Sequence, residues 1–324
     1  MNTKINNYTK TYDALKHRMK WKVSDKRILM SIASIYTMND TKLDSEKLLQ
    51  LADTIKRRAS LFSSMRSYPR FTTAAMLDVN FDNSEEKVEL LYDYYEQFKR
   101  AKFSSGTFTY IAATILLTNH TEHLAVPTTI QTAKNIYDGM KKEHAFLTSS
   151  GDYPLATLLA FREREDIIQH MESYYEQLAK NGFRKGNDLQ FLSHILSLSE
   201  DGNIQTIVNR TMEVADMLLD HGIKTKTTYY PAIGILALLP PEEFDVHQII
   251  DMYEQLNQVK DFKWQKDMNV LMAVSLFVNE KIDHAGLAET SIYTVLETVI
   301  QAQQAVMIAT IAGATAATSS NSGN

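Results

Sequence analysis

The sequence predicts an all-α protein built from helical hairpins that repeat along the chain. Three observations predict this fold: a segment recurs about every eighty residues, apolar side chains are spaced three and four residues apart, and turn-forming residues are few. The 324 residues include only eleven glycines and six prolines, whereas folds with many tight turns use more of both. No run of alternating apolar and polar residues indicates a strand.

A Tyr-Glu-Gln triplet marks the first helix of each repeat. The triplets begin at Tyr95, Tyr175 and Tyr253, and apolar residues stand seven and four positions before and three positions after each tyrosine. This spacing predicts one apolar stripe along a helix. We therefore interpret the tyrosines as packing residues between hairpins rather than as a ladder of binding groups. A truncated copy opens the chain, and an aromatic residue trails each of the four helices: Trp21, Phe103, Phe183 and Phe262.

The next helix of the repeat has its own signature, an apolar segment that closes on asparagine or serine. Asparagine tolerates the left-handed conformation that ends a helix, so the last residue of each segment predicts a helix end. The four segments are residues 31–39, 111–119, 191–199 and 271–279.

Further helices complete each repeat. Tyr-Pro dipeptides at residues 68–69, 153–154 and 230–231 precede apolar runs, and proline favours the first turn of a helix. The sequence thus predicts fourteen or fifteen helices, in hairpins of about forty residues grouped into units of about eighty. Such hairpins bury their apolar faces against their neighbours, which predicts an α-solenoid, a superhelix similar in architecture to HEAT arrays.

Composition limits the domain organisation and the location. No linker or composition break interrupts residues 1–304, which we expect to form a single helical-repeat domain. Residues 305–324 are expected to be a helix end and a frayed tail of Ser, Gly and Asn. No stretch of about 18 apolar residues is present, so we expect no membrane association. The absence of cysteine and of a signal-peptide pattern favours the cytoplasm.

His120 and His123, with Glu122 between them, are the strongest local pattern for a metal site. The zinc-protease pattern requires two histidines four residues apart on a helix, whereas these two are three apart in a predicted loop. We therefore interpret both as solvated loop residues and predict no metal and no cofactor.

Two basic clusters follow the repeated helix and are the candidates for binding a nucleic acid. Lys99, Arg100 and Lys102 lie beside Phe103, and Arg184 and Lys185 lie beside Phe183. Basic residues between aromatic side chains are typical of single-stranded RNA binding. The formal net charge of −5, from 34 basic and 39 acidic residues, makes a nucleic-acid partner the less favoured reading.

The chain resembles an uncharacterised family of Firmicute bacterial proteins that is classed only as a domain of unknown function. The resemblance is carried by the segment Tyr-Tyr-Glu-Gln-Leu-Ala-Lys-Asn-Gly-Phe at residues 174–183, by the helix that begins with Tyr153-Pro154, and by residues 191–199. It covers nearly the whole chain. It implies no activity, cofactor or site residue.

The function that these observations favour is a non-enzymatic scaffold. Solenoids present extended surfaces, and no convergent set of catalytic residues is visible, so we expect a protein or peptide to bind on the concave face. The alternative is a small-molecule enzyme or binding protein with a pocket between helices. RNA binding is the third possibility. The sequence leaves the oligomeric state and the identity of any partner open.

Overall fold

The computed structural model describes residues 2–119, 125–162, 164–199 and 203–284, with residues 296, 299, 300, 302, 303, 306, 307 and 309–311. In the described residues the chain forms α-helices and short 3-10 turns and no strand, so the predicted all-α class is confirmed. The α-helices are α1 (Thr3–Met19), α2 (Lys26–Met38), α3 (Ser45–Arg58), α4 (Pro69–Asn80), α5 (Ser84–Arg100), α6 (Thr107–Asn119), α7 (Val126–Glu143), α8 (Tyr153–Ala160), α9 (Ile167–Lys180), α10 (Asn187–Leu196), α11 (Ile204–Asp220), α12 (Tyr230–Leu238), α13 (Val246–Gln258) and α14 (Lys266–His284).

The helix starts follow from capping chemistry. Each Tyr-Pro dipeptide lies at the start of a helix, namely α4, α8 or α12, as predicted. Elsewhere an acidic or amide side chain accepts hydrogen bonds from the free N–H groups of the first turn. Asp44 caps α3, Asn203 caps α11 and Asp245 caps α13 in this way.

Three odd-numbered helices, α5, α9 and α11, end in the same Schellman motif. A residue with positive φ follows each helix: Lys102 at 71°, Gly182 at 94° and Gly222 at 88°. The next N–H then donates back into the last turn, as from Phe103 to the carbonyl of Phe98 at 3.1 Å. The residue that supplies this N–H is buried each time: Phe103, Phe183 and Ile223.

Of the aromatic residues that trail the repeated helices, Trp21 is exposed, whereas Phe103, Phe183 and Phe262 are buried; near the end of α1, Val23 is buried instead. The prediction of a helix end at residue 279 is wrong. Asn279 does not end a helix: α14 continues to His284, and the buried Asn279 side chain accepts a hydrogen bond from Lys4 at 2.8 Å.

Odd-numbered and even-numbered helices differ in burial. The odd-numbered helices bury one stripe, which includes Tyr95 and Tyr175, whereas Tyr253 is half-buried. Tyr95 stacks on Tyr110 with ring centroids 3.7 Å apart. Even-numbered helices such as α2, in which every residue from Ile28 to Met38 is buried, are enclosed on all sides. A helix that is apolar all round is stable only when it is covered in this way.

The helices group into two compact units. The N-terminal unit is Asn6–Gln131 with Gln301–Asn324, and the C-terminal unit is Met1–Ile5 with Thr132–Ile300. Within each unit, the helices that pack most closely are one or two positions apart in the chain. In the N-terminal unit these pairs include α2–α4, α3–α4, α3–α5, α4–α6 and α5–α6; in the C-terminal unit they include α9–α10, α9–α11, α10–α12, α11–α12, α12–α14 and α13–α14.

Among the helices in the described part of the chain, none is both long and apolar enough to cross a bilayer.

Candidate binding surface

Large apolar side chains are exposed in the turns that lead from an odd-numbered to an even-numbered helix. Trp21, in the α1–α2 turn, is 90% exposed, and Leu61 and Phe62, in the α3–α4 turn, are 77% and 100% exposed. Phe146 in the α7–α8 turn and Trp264 in the α13–α14 turn are also exposed. Folding gains little from such side chains, and their recurrence in one class of turn makes these turns a candidate binding surface.

In the N-terminal unit, the even-numbered helices α2, α4 and α6 begin on the same side. The hydroxyl of Tyr36, near the end of α2, donates to Oδ2 of Asp78, near the end of α4, at 2.6 Å. The hydroxyl of Ser63, just before α4, donates to the hydroxyl of Tyr110, in the first turn of α6, at 3.2 Å. The three helices are therefore parallel, and the turns that precede them share one edge of this unit.

This edge carries a high density of positive charge. We call residues 16–27, 56–70 and 99–106 the basic edge; they hold fourteen lysines and arginines and a single acidic residue, Asp25. A surface of this kind raises the local concentration of anionic partners. The basic residues are Lys16, Arg18, Lys20, Lys22, Lys26, Arg27, Lys56, Arg57, Arg58, Arg66, Arg70, Lys99, Arg100 and Lys102.

Helix dipoles explain only part of this charge. Cations stabilise the last turn of a helix, where Lys56, Arg57 and Arg58 lie at the end of α3. The first turn favours anions instead, yet Arg66 and Arg70 flank the start of α4. The helix dipole therefore does not explain the positive charge at the start of α4.

Hydrogen bonds restrain the backbone of the α3–α4 turn, while its apolar side chains are exposed. The guanidinium of Arg66 donates to the carbonyl of Ala59 at 3.1 Å, and that of Arg70 donates to the carbonyl of Ser67 at 2.7 Å. These hydrogen bonds restrain the backbone of the turn. Leu61 therefore lies on an ordered backbone, and the turn itself would lose little conformational entropy on binding a ligand.

Carboxylates lie beside the basic edge on α5. Arg58 contacts Glu89 at 2.9 Å and lies over the ring of Tyr92 at 5.2 Å. Lys99 contacts Glu96 at 3.2 Å. The surface is therefore mixed in charge along α5 and mainly positive at the turns. An open groove runs here, lined by Arg58, Glu86, Glu89, Leu90, Tyr92, Asp93, Glu96 and Arg100.

The sequence-predicted basic clusters lie in different units. Lys99, Arg100 and Lys102 belong to the basic edge, whereas Arg184 and Lys185 are exposed after α9 in the C-terminal unit. The rings beside the two clusters, Phe103 and Phe183, are both buried, so neither is available to stack on a base. The exposed aromatic residues of the basic edge, Trp21 and Phe62, were not among the predicted binding residues.

The candidate metal ligands His120 and His123 lie outside the described residues. In the described part of the chain, no group of three or more His, Asp or Glu side chains is placed to hold a metal ion.

A second feature, in the C-terminal unit, is a buried polar cluster of Thr148, Asp152, Gln190 and His194. Gln190 donates from Nε2 to Oγ1 of Thr148 at 2.9 Å, and Nδ1 of His194 lies 3.9 Å from Oδ1 of Asp152. Oε1 of Gln190 and Nδ1 of His194 are buried and have no hydrogen-bond partner among the described residues. Such atoms are uncommon in cores and mark strained or functional positions.

Burial determines the protonation of this cluster. Burial, and then the nearby His144, lowers the pKa of His194 to about 3. Burial also raises the pKa of Asp152 to about 6, although the N–H of Ser149 opposes that shift. Perturbed ionisable groups of this kind are typical of active sites but also occur in structural networks.

The pair next to this cluster is more accessible. Nε2 of His144 lies 2.9 Å from a carboxylate oxygen of Glu172, and each side chain is about a quarter exposed or less. Burial raises the pKa of Glu172, while His144 opposes the shift. The members of the buried cluster are at most 8% exposed, so a substrate would reach His144 and Glu172 before it reached His194.

Comparison with known proteins places the chain in a family. A model described as "Protein of unknown function (DUF4003)" matches residues 11–305. The chain belongs to this family. It is also 36% identical to the "Uncharacterized protein YeaA" of Bacillus subtilis (strain 168) over 326 residues, which cover 100% of this chain and 98% of that protein. The comparison with solved structures finds no match. The resemblance identified from residues 153–199 is thereby confirmed, and it assigns no function.

Proposed function

We propose that this chain is a non-enzymatic, cytoplasmic helical-repeat protein, an α-solenoid that binds a protein or a peptide. The packing of helices on neighbours one or two positions away, from α2 to α6 and from α8 to α14, supports the repeat architecture. The shared Schellman ends of α5, α9 and α11 support it further.

The observation that carries the binding function is the recurrence of exposed large apolar side chains in the odd-to-even turns. The sequence suggested the concave face of the solenoid as the docking surface. We place the interface on the turns instead, because Trp21, Phe62, Phe146 and Trp264 are exposed there. Aromatic anchors of this kind supply much of the binding energy in protein interfaces.

Photo-crosslinking inside the source bacterium tests this proposal. Phe62 and Trp264 are each replaced by benzoylphenylalanine, which preserves an aromatic side chain and forms a covalent bond with whatever contacts it. Gln50, exposed on α3 away from the turns, carries the same residue as a control. We expect discrete protein adducts from position 62 or 264 and none from position 50. A lack of protein adducts from both turn positions would refute the proposal.

The buried cluster around His194 favours a second function, the binding of a small molecule near His144 and Glu172. Its support is the two buried polar atoms that lack partners, on Gln190 and His194. A thermal-shift screen with metals, nucleotides and metabolites tests this alternative. A ligand of the native state would raise the midpoint in a saturable manner, and Glu172→Gln would reduce that rise.

A further inference from the structure

The geometry points to the α3–α4 turn as the main anchor of the partner, and to an acidic protein segment with apolar side chains as the ligand. We infer that Leu61 and Phe62 contact the apolar side chains while the surrounding arginines pair with carboxylates. This inference rests on the proposed protein-binding function and adds the chemistry of the partner and the place where it binds.

The α3–α4 turn combines two adjacent apolar anchors with guanidinium groups. Leu61 and Phe62 extend into solvent, and the exposed Arg57, Arg58 and Arg66 lie within five residues of them in the chain. Aromatic residues and arginines are enriched in protein interfaces, and arginine pairs with carboxylates in a two-pronged geometry. No acidic residue lies between positions 56 and 70. Glu89 on α5 pairs with Arg58, and Arg57 and Arg66 offer the remaining positive charge of the turn to an acidic segment.

The α7–α8 turn provides an internal comparison. Phe146 is as exposed as Phe62. Lys141 and Lys142 lie in the last turn of α7, just as basic residues lie in the last turn of α3. Glu143, which follows these two lysines directly, offsets part of their charge, whereas residues 56–70 hold no acidic residue. An acidic ligand therefore has a charge-based reason to prefer the α3–α4 turn over this equivalent turn.

The surroundings of the turn favour a protein over a nucleic acid or an anionic membrane. Glu89, Asp93 and Glu96 line the groove that adjoins Arg58. A continuous phosphate backbone or a lipid surface would meet these carboxylates and be repelled. A protein segment can place its acidic groups over the arginines and avoid them. Leu61 adds to this argument, because an aliphatic side chain offers no ring on which a base could stack.

Fluorescence anisotropy with a labelled random copolymer of glutamate and tyrosine tests this inference on the full chain at about 0.15 M salt. The copolymer supplies carboxylates and apolar rings together. Polyglutamate supplies charge alone, polyuridylate supplies phosphates and bases, and phosphatidylglycerol-containing vesicles supply a lipid surface. The binding-site variants are Phe62→Ser and the pair Arg57→Glu with Arg58→Glu. Their controls are Leu219→Ser, at an exposed apolar residue on α11 outside these turns, and the pair Lys141→Glu with Lys142→Glu at the end of α7.

We expect the copolymer to bind more tightly than each of the other three probes. Each binding-site variant should weaken it by about tenfold or more, as expected for an interface anchor, and neither control should change it by more than about twofold. All substituted side chains are exposed, and circular dichroism at 222 nm checks that each variant folds.

Three results would overturn the inference. Tighter binding of polyuridylate or of the vesicles would assign the basic edge to a nucleic acid or to a membrane. Equal losses in the binding-site variants and their controls would mean that the α3–α4 turn is not the anchor. No copolymer binding, with protein adducts still formed at position 62, would refute the acidic partner and leave the protein-binding function standing. An absence of adducts would refute that function itself.

Discussion

The fold keeps His194 neutral by enclosing it between helices. Burial lowers the pKa of His194 to about 3, from the ordinary value of 6.5, so the folded protein takes up its proton at a far lower pH than the unfolded chain does. The stability contributed by neutral His194 is therefore present above about pH 6.5 and is lost as the pH falls below that value. Asp152 has the opposite effect on stability. Burial raises its pKa to about 6, so as the pH falls the folded protein binds this proton before the unfolded chain does.

Replacing His194 with glutamine should flatten the acid side of the stability profile. Between pH 7 and pH 5, wild type should lose about 2 kcal/mol more of its free energy of unfolding than His194→Gln, because only its unfolded state gains the imidazole proton. Urea unfolding at the two pH values measures the difference. The variant is expected to be less stable at pH 7, but the change with pH does not depend on that offset.

His17→Gln is the matched control for this comparison, since His17 is exposed. It removes an imidazole from the surface and leaves the core intact, so it separates the effect of position 194 from the loss of a histidine as such. Equal pH profiles for His194→Gln and wild type would mean that burial does not suppress the titration of His194.

At the residue scale, the sequence predicted the packing residues and part of the basic edge, but not the buried cluster around His194. The spacing around Tyr95 and Tyr175 was sufficient to predict burial, because a helix turns that spacing into one face. The contact between Asp152 and His194 depends on how the helices pack, and no local pattern encodes it. The spacing also left open which trailing aromatic residues are buried: Trp21 is exposed, and Val23, two residues later, is buried.

The end of α5 contains a position at which a substitution should stabilise the protein. Lys102 has a φ of 71° in the position where α9 and α11 have glycine, and a side chain at positive φ is strained. Lys102→Gly should raise the free energy of unfolding by about 0.5–1 kcal/mol, because the relief of strain exceeds the added entropy of the unfolded chain. Chemical denaturation measures this gain.

The reverse substitution at α9, Gly182→Ala, should lower stability by about 1 kcal/mol. A Cβ at this position meets no atom within 4 Å, so the loss would report backbone conformation alone. A destabilising Lys102→Gly would show that the lysine makes contacts at the helix end that outweigh its strain.

At the element scale, local signals predicted helix starts better than helix ends. Proline and capping residues act on the first turn directly, so the Tyr-Pro dipeptides located α4, α8 and α12 correctly. The predicted helix end at Asn279 is wrong because asparagine permits a helix end without requiring one, and α14 continues beyond this residue. The basic edge was visible only in part, since its three segments are separated in sequence and come together through the parallel packing of α2, α4 and α6.

At the scale of the whole molecule, we propose that residues 1–304 unfold as one domain. The division between the two compact units, at residues 131 and 132, falls within the sequence of α7. Boundaries between independent domains usually lie in exposed linkers that few contacts cross. A boundary inside a continuous helix therefore favours cooperative unfolding.

Hydrogen exchange on a core variant tests this proposal. Leu236, on α12, is fully buried, and Leu236→Ala should lower the free energy of global opening by about 2–5 kcal/mol through the cavity that it leaves. If the chain is one domain, the amides of α4 in the other unit lose protection by the same amount as those of α12. Leu77→Ala, which creates the corresponding cavity in α4, should give the reciprocal result. Loss of protection confined to the substituted unit in both variants would mean that the chain consists of two domains, because a cooperative domain cannot be weakened in one half alone.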